Sequence, residues 1–237
     1  FNDRSVAGEE ARNAELEKRL AELKAISAES LNDEQRPIHD TLVTLFDGAL
    51  GASRLVDYGS GFDVYGIWYL PYLINQNSGV TVDIPKLMEA QQTVRNADEA
   101  KEYLVRLESF PKILDGALAK MRHDVDLGAI PPDFIVQKAK AVVDAFAAIP
   151  AADNVLYTSF VSKMKAAAVP DADSYAAKAL TVVGDGVLPA YTRISAYLGE
   201  IEPLAPHDAG LWRLPNGAAL YKAMIRHMTD SDLDPEA

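Results

Sequence analysis

Four histidines, 35 acidic residues and no cysteine set the chemistry open to this 237-residue chain. Without cysteine there is no disulfide, thiolate nucleophile, iron–sulfur cluster or Cys-ligated zinc. His39, His123, His207 and His227 form neither H-E-x-x-H nor H-x-x-x-H, so no helix face presents two imidazoles to a metal. Three of them precede an aspartate (His39-Asp40, His123-Asp124, His207-Asp208) at intervals of 84 residues. Their flanks share nothing else, so the interval is coincidence rather than a repeat. Adjacent helix positions point to different faces, and no His-Asp dyad is expected. Each histidine reads as a surface or hydrogen-bonded core residue, and the chain alone is expected to hold no metal.

Other motifs dissolve on inspection. Asp230-Ser231-Asp232-Leu233-Asp234 resembles the opening of a calcium loop, but Pro235 stands where such a loop needs glycine. Ser162-Lys163-Met164-Lys165 fits S-x-x-K without the companion motifs of that chemistry. Gly59-Ser60-Gly61 and Gly184-Asp185-Gly186 lack the spacing of a phosphate or dinucleotide loop. No catalytic constellation is left. What remains is a polar run, Asn75-Gln76-Asn77-Ser78-Gly79, just after six aromatics: Tyr58, Phe62, Tyr65, Trp68, Tyr69 and Tyr72. Amide side chains can grip a peptide backbone or a carboxylate, and aromatics can wall a ligand site. The same amides can equally satisfy the backbone of their own loop.

The elements that would position these residues are helical almost throughout. Leu16, Leu20 and Leu23 step along one face. Ile38, Leu42, Leu45, Phe46 and Ala49 repeat the pattern after a start at Asn32. A third helix opens at Asn96, and Pro111 is expected to restart the chain before a stripe from Ile113 to Met121. Pro131-Pro132 opens a helix that ends before Pro150; Leu156, Phe160 and Met164 mark a shorter one. From Ser174 to Leu198 runs the longest pattern, with a kink expected around Gly184, Gly186 and Pro189. A last helix carries Leu220, Tyr221, Met224, Ile225 and Met228. Residues 54–85 resist this period and read as an ordered aromatic-rich excursion, with short extended pieces at Ile67–Leu70 and Val80–Val82. The fold class is all-α: a bundle-like array of seven or eight helices with at most a minor sheet.

Composition narrows the setting. With 23 basic against 35 acidic residues the formal charge is −12, which argues against a nucleic-acid or anionic-membrane surface. No run approaches the roughly 18 apolar residues of a transmembrane segment. The first residue is Phe1, so either a leader has been removed or numbering begins inside a longer chain, and export stays open. Leu233-Asp234-Pro235-Glu236 has the marks of a helix start just before the chain ends, which reads as the truncation of a longer chain, a natural polar tail being the alternative.

Tyr69-Leu70-Pro71-Tyr72-Leu73-Ile74-Asn75-Gln76-Asn77-Ser78-Gly79-Val80, with Asp83-Ile84-Pro85 and Leu87-Met88, resembles the N-terminal half of the bacterial family catalogued as domain of unknown function 885. Ile130-Pro131-Pro132, Val187-Leu188-Pro189-Ala190-Tyr191, Gly210–Gly217 with Tyr221, and the closing Leu-Asp-Pro-Glu extend the resemblance from about residue 10 to 237. The resemblance implies a mostly helical protein similar to zincin-like metallopeptidases, often exported or lipid-anchored and longer than this chain. Its zinc site would be a His-Glu-Ala-x-Pro-Gly-His-His run with a downstream Glu, in the later half. No part of that run occurs here, so no zinc ligand and no catalytic residue carries over.

Residues 1–237 are therefore expected to be a single helical domain or fragment, the non-catalytic part of a peptidase-like protein, forming one wall of a substrate cleft. Its partners would be the downstream half of the same protein and a peptide or small-molecule ligand, with zinc as cofactor of the full-length protein only. Asn75, Gln76, Asn77, Ser78 and Tyr221 are the candidate lining residues. The alternative is a self-sufficient helical binding or scaffold protein of the cell envelope, without catalysis. A complete enzyme built from this chain alone is the weakest reading, because no constellation supports it. A periplasmic or envelope location is expected, with a cytoplasmic one still open.

Overall fold

A computed structural model describes residues 1–61, 69–229 and 231 of the chain. Among the described residues nine helical segments carry the fold: α1 (Val6–Lys24), α2 (Gln35–Gly51), α3 (Val80–Ala90), α4 (Ala97–Asp126), α5 (Asp133–Ala147), α6 (Val155–Ala166), α7 (Ala172–Val182), α8 (Leu188–Ile201) and α9 (Gly217–Thr229). A π turn at Val183–Val187 joins α7 to α8 without a break, leaving eight rods. Among the described residues the only strand-like pairing is one antiparallel bridge between Ser60 and Leu70. The all-α expectation holds. Phe62, Tyr65 and Trp68 of the aromatic cluster, the first two residues of the extended piece expected at Ile67–Leu70, and the helix signal at Leu233–Glu236 lie outside the described residues.

The central rod is α4. Asn96 caps it by accepting the Glu99 N–H at 2.9 Å, while the Glu99 carboxylate accepts from the Arg95 N–H at 2.9 Å and the Thr93 hydroxyl at 3.0 Å. Pro111 does not restart the chain: α4 runs through it for 30 residues. An interior proline costs roughly 3 kcal/mol. Leu107, Phe110, Ile113 and Leu114, all buried around it, outweigh that cost. The proline ring packs against Gly186 in the π turn, so two helix-breaking signals in the sequence meet in space.

The extended piece expected at Val80–Val82 is instead the first turn of α3. Val80, Thr81, Val82, Ile84 and Met88 are all buried there, and that burial overrides β-branched propensity. Gly79 starts the helix at φ +102°, a conformation that favours glycine. Pro85 within α3 cannot bond the Thr81 carbonyl four residues back. The buried Tyr191 hydroxyl donates to that carbonyl at 2.7 Å instead, replacing the missing N–H.

Helices α3–α8 enclose the main core. Tyr103 stacks on Phe160 at 4.3 Å, and Phe146 on Tyr191 at 4.3 Å, with Phe110 edge-on to Tyr191 at 6.1 Å. Helices α1, α2 and α9 lie outside this core. A second, smaller cluster joins α2 to α9 through Ala52, Val56, Tyr58, Tyr69, Leu214 and Leu220.

Candidate functional site

Between the two clusters sits a buried polar centre that the sequence reading missed. Lys120 and Asp124 share a face of α4, with side chains only 2% and 6% exposed, and form an ion pair. The Lys120 ammonium also donates to the Asp57 carbonyl at 3.2 Å, and the second Asp124 oxygen accepts the Gly59 N–H at 2.9 Å. Burial pushes the Asp124 carboxyl up from the ordinary range, while Lys120 pulls against that shift. From the α1 side, Glu9 accepts from the Ser60 hydroxyl at 3.0 Å and the Gly61 N–H at 2.6 Å. The Tyr69 hydroxyl donates to the Tyr58 carbonyl, and burial raises its pKa far above the phenolic range. Segment 57–61 is thus strapped between α1 and α4, beside a cavity of about 250 Å³ lined by Glu9, Glu10, Asp57, Lys120 and His123. The signal was present in the sequence: a Lys and an Asp four apart, within the apolar stripe of Ala117, Leu118 and Met121.

His123 Nδ1 lies 3.2 Å from the Asp124 carboxylate, and His39 Nδ1 lies 3.1 Å from Asp40. This corrects the expectation that adjacent His-Asp residues stay apart. A short carboxylate and a ring nitrogen close to the main chain can bridge one helical step. His207 Nδ1 faces Asp133 instead, at 3.0 Å. The His227 ring fills the notch at Gly48, where a Cβ would stand 2.3 Å from Nδ1. The four histidines are thus held at four separate places. Among the described residues no three His, Asp or Glu side chains converge as metal ligands. This donor set does not fit the zinc that the resemblance implies.

The predicted lining residues occupy two places. Asn75 folds the polar run into a turn ahead of α3: its Oδ1 accepts the N–H groups of Asn77 at 2.8 Å and Ser78 at 3.0 Å, and its Nδ2 donates to the Ser78 hydroxyl at 2.8 Å. Asn77 is exposed, while the Gln76 amide oxygen is buried with no hydrogen-bond partner. Tyr221 lies on α9, 47% exposed. No hydrogen bond joins Tyr221 to the run. Arg213 links the neighbourhoods indirectly, donating to the Tyr72 hydroxyl at 2.7 Å and to the Ile130 carbonyl at 2.6 Å from the 3₁₀ turn that precedes α9.

Two grooves flank α9 where it crosses α2. One, of about 390 Å³, is apolar, lined by Ala49, Ala52, Leu70, Pro71, Met224 and Met228, with Arg12 and His227 at its edge. The other, of about 670 Å³, is polar and includes Lys24, Asp47, Arg54, Lys222 and Arg226. Arg54 pairs with Glu17 at 2.7 Å and with Asp47 at 2.9 Å, joining α1 to the end of α2.

No helix of the described residues is long and apolar enough to cross a membrane. The fold matches the crystal structure of a protein from Colwellia psychrerythraea, named there as a candidate lipoprotein, with a TM-score of 0.90 at 23% identity. That match covers 100% of this chain but 40% of the Colwellia protein, so the present chain spans well under half the length of its structural neighbour. No curated protein gives a significant match. A family profile described as bacterial protein of unknown function (DUF885) matches residues 1–237, and the chain belongs to that family.

Proposed function

We propose that residues 1–237 are the non-catalytic, helical N-terminal part of a zinc-dependent peptidase-like protein of the cell envelope, forming one wall of its substrate cleft. The observation that carries this reading is the coverage: a fold matched over 100% of this chain occupies 40% of its neighbour. The four histidines, each engaged at a separate place, support zinc ligands supplied by chain beyond residue 237. The name of the Colwellia protein supports the envelope location. Asn75, Gln76, Asn77, Ser78 and Tyr221 are the proposed lining residues. The orphaned amide oxygen of Gln76 and the exposed Asn77 are suited to meeting a peptide backbone.

The test compares the 237-residue chain with the same chain joined to whatever follows it in its reading frame. Expected are no peptide hydrolysis by the chain alone and chelator-sensitive hydrolysis by the joined protein. Asn77→Ala and Tyr221→Phe should lower turnover while leaving the melting temperature unchanged. Activity of the chain alone, or none in the joined protein with zinc supplied, would overturn the reading.

A further inference from the structure

Helix α2 is longer than its described partner. It meets α9 antiparallel: Gly48 lies under His227, Gly51 faces Ala223, and the Leu55 carbonyl accepts from Asn216 Nδ2 at 3.1 Å. In that register Thr229, the end of α9, lies about two residues beyond Gly48 toward the start of α2. The residues of α2 from Gln35 to Leu45, roughly 16 Å of helix, extend past it. On its other side α2 is held by α1, through Arg54–Glu17, Lys24–Asp47 and His39 Nε2 on the Leu23 carbonyl at 2.9 Å. Beside the seam that α9 makes with Gly48 and Gly51, the stripe of Ala49 and Ala52 that lines the apolar groove continues upward, about one turn at a time, to Leu45, Leu42 and Ile38. Ile38 is 61% exposed and Leu45 39%, and Met228 at the end of α9 is 57% exposed.

This arrangement has the anatomy of an interface: an apolar centre flanked by the polar groove of Lys24, Asp47 and Arg54. The Colwellia neighbour identifies the kind of occupant. Its fold contains a region like this whole chain in 40% of its length, with the rest of that protein to be packed against or beside it. Met228, on the last turn of α9, lies by the lower end of the exposed face.

We infer that the face of α2 from Ile38 to Leu45, with Met228 of α9, is the docking surface for a helix of the chain that follows residue 237. The inference rests on the proposed function and names the surface through which this part joins the rest. An amphipathic helix laid along this stripe of α2, beside the end of α9, would bury it.

Since the chain has no cysteine, single-cysteine variants report on the surface directly. Ile38→Cys and Leu45→Cys are made in the 237-residue chain and in the protein that continues beyond it. Val105→Cys, on α4 and 64% exposed, is the control. Maleimide labelling is read at each peptide by mass spectrometry. In the longer protein, labelling at positions 38 and 45 should slow by about tenfold or more, with position 105 unchanged. Equal rates in both proteins would overturn the docking surface even if the longer protein hydrolyses peptides with zinc, which keeps the functional reading separate. Protection of positions 38 and 45 in the short chain, rising with its concentration, would make a second copy the occupant and also overturn the inference. A reading frame that ends at residue 237 would overturn both readings.

Discussion

Helices α3–α8 and the layer of α1, α2 and α9 are built from similar sequence patterns but are held by different forces. Helix α4 buries twelve of its 30 residues, among them Tyr103, Leu107, Phe110 and Leu114. By contrast α1 buries one of 19 residues, α2 one of 17, and α9 two of 13. The core is stabilised by apolar area and stacked rings. The layer is fastened by ion pairs such as Arg54–Glu17 and Lys24–Asp47, which in exposed positions contribute little. An amphipathic period therefore shows that a face is apolar, not that it is covered within the same chain. The layer carries that period with little buried beneath it.

The most direct way to break this comparison is to delete one apolar side chain from each region. Phe160→Ala, fully buried under Tyr103, should cost about 3–5 kcal/mol by urea denaturation. Leu45→Ala should change stability by less than about 0.5 kcal/mol, because Leu45 is already half in solvent. Equal losses would mean that the layer is as tightly packed as the core.

The seam between the regions gives the next effect. Lys120→Met leaves the Asp124 carboxylate buried without its cation and should cost about 3 kcal/mol or more. Adding Asp124→Asn removes the stranded charge and keeps an acceptor for the Gly59 N–H, so the double variant should recover much of the loss. A single variant within about 1 kcal/mol of wild type would show that the pair does not hold segment 57–61 to α4.

Within the core, Lys163 on α6 is a smaller test. Its ammonium donates to the Met88, Glu89 and Gln92 carbonyls at 2.8, 2.6 and 2.8 Å, closing the C-terminal end of α3. Lys163→Met should cost about 1.5–3 kcal/mol and speed hydrogen exchange near Gln91. Unchanged exchange there would remove Lys163 from the capping role.

Much of this difference was legible in the sequence, and its limits have physical causes. The period located the stripes of α1, α2, α4, α5 and α6, and Asn96 announced its cap correctly. Pro111 and Val80–Val82 misled because their outcome depends on distant partners, Gly186 for one and Tyr191 for the other, which local propensity cannot see. Lys120 and Asp124 went unread because charged residues in an apolar stripe look like a flaw until their partners at Asp57 and Gly59 are in place. For the site, the turn-forming role of Asn75 was one of two readings open to an amide run. The separation of that run from Tyr221 is a tertiary fact with no local signature.

The smallest effects come from pH, which should act on the two regions in opposite directions. At the start of α4, on the surface of the core helices, the Arg95 guanidinium beside Glu99 holds that carboxyl at about 2, against an ordinary 4.5. A depressed carboxyl pKa contributes stability that is full above 4.5 and lost as pH falls toward about 2. In the layer, both His39 ring nitrogens face acceptors, Leu23 O at 2.9 Å and Asp40 Oδ1 at 3.1 Å, and only the imidazolium can donate to both. The Leu23 carbonyl, and then Asp40, raise the His39 pKa above 6.5. A raised imidazole pKa contributes stability that is full below 6.5 and lost as pH rises through the folded value. The melting-temperature gap between wild type and Glu99→Gln should therefore close in acid, while the gap for His39→Gln should be widest in mild acid and close as the solution turns alkaline. An NMR titration of His39 gives the independent check. A midpoint at or below 6.5, or a His39→Gln gap that widens with pH, would show that the α1–α2 hairpin is not fastened by a charged histidine. The layer would then depend still more on whatever covers its exposed face.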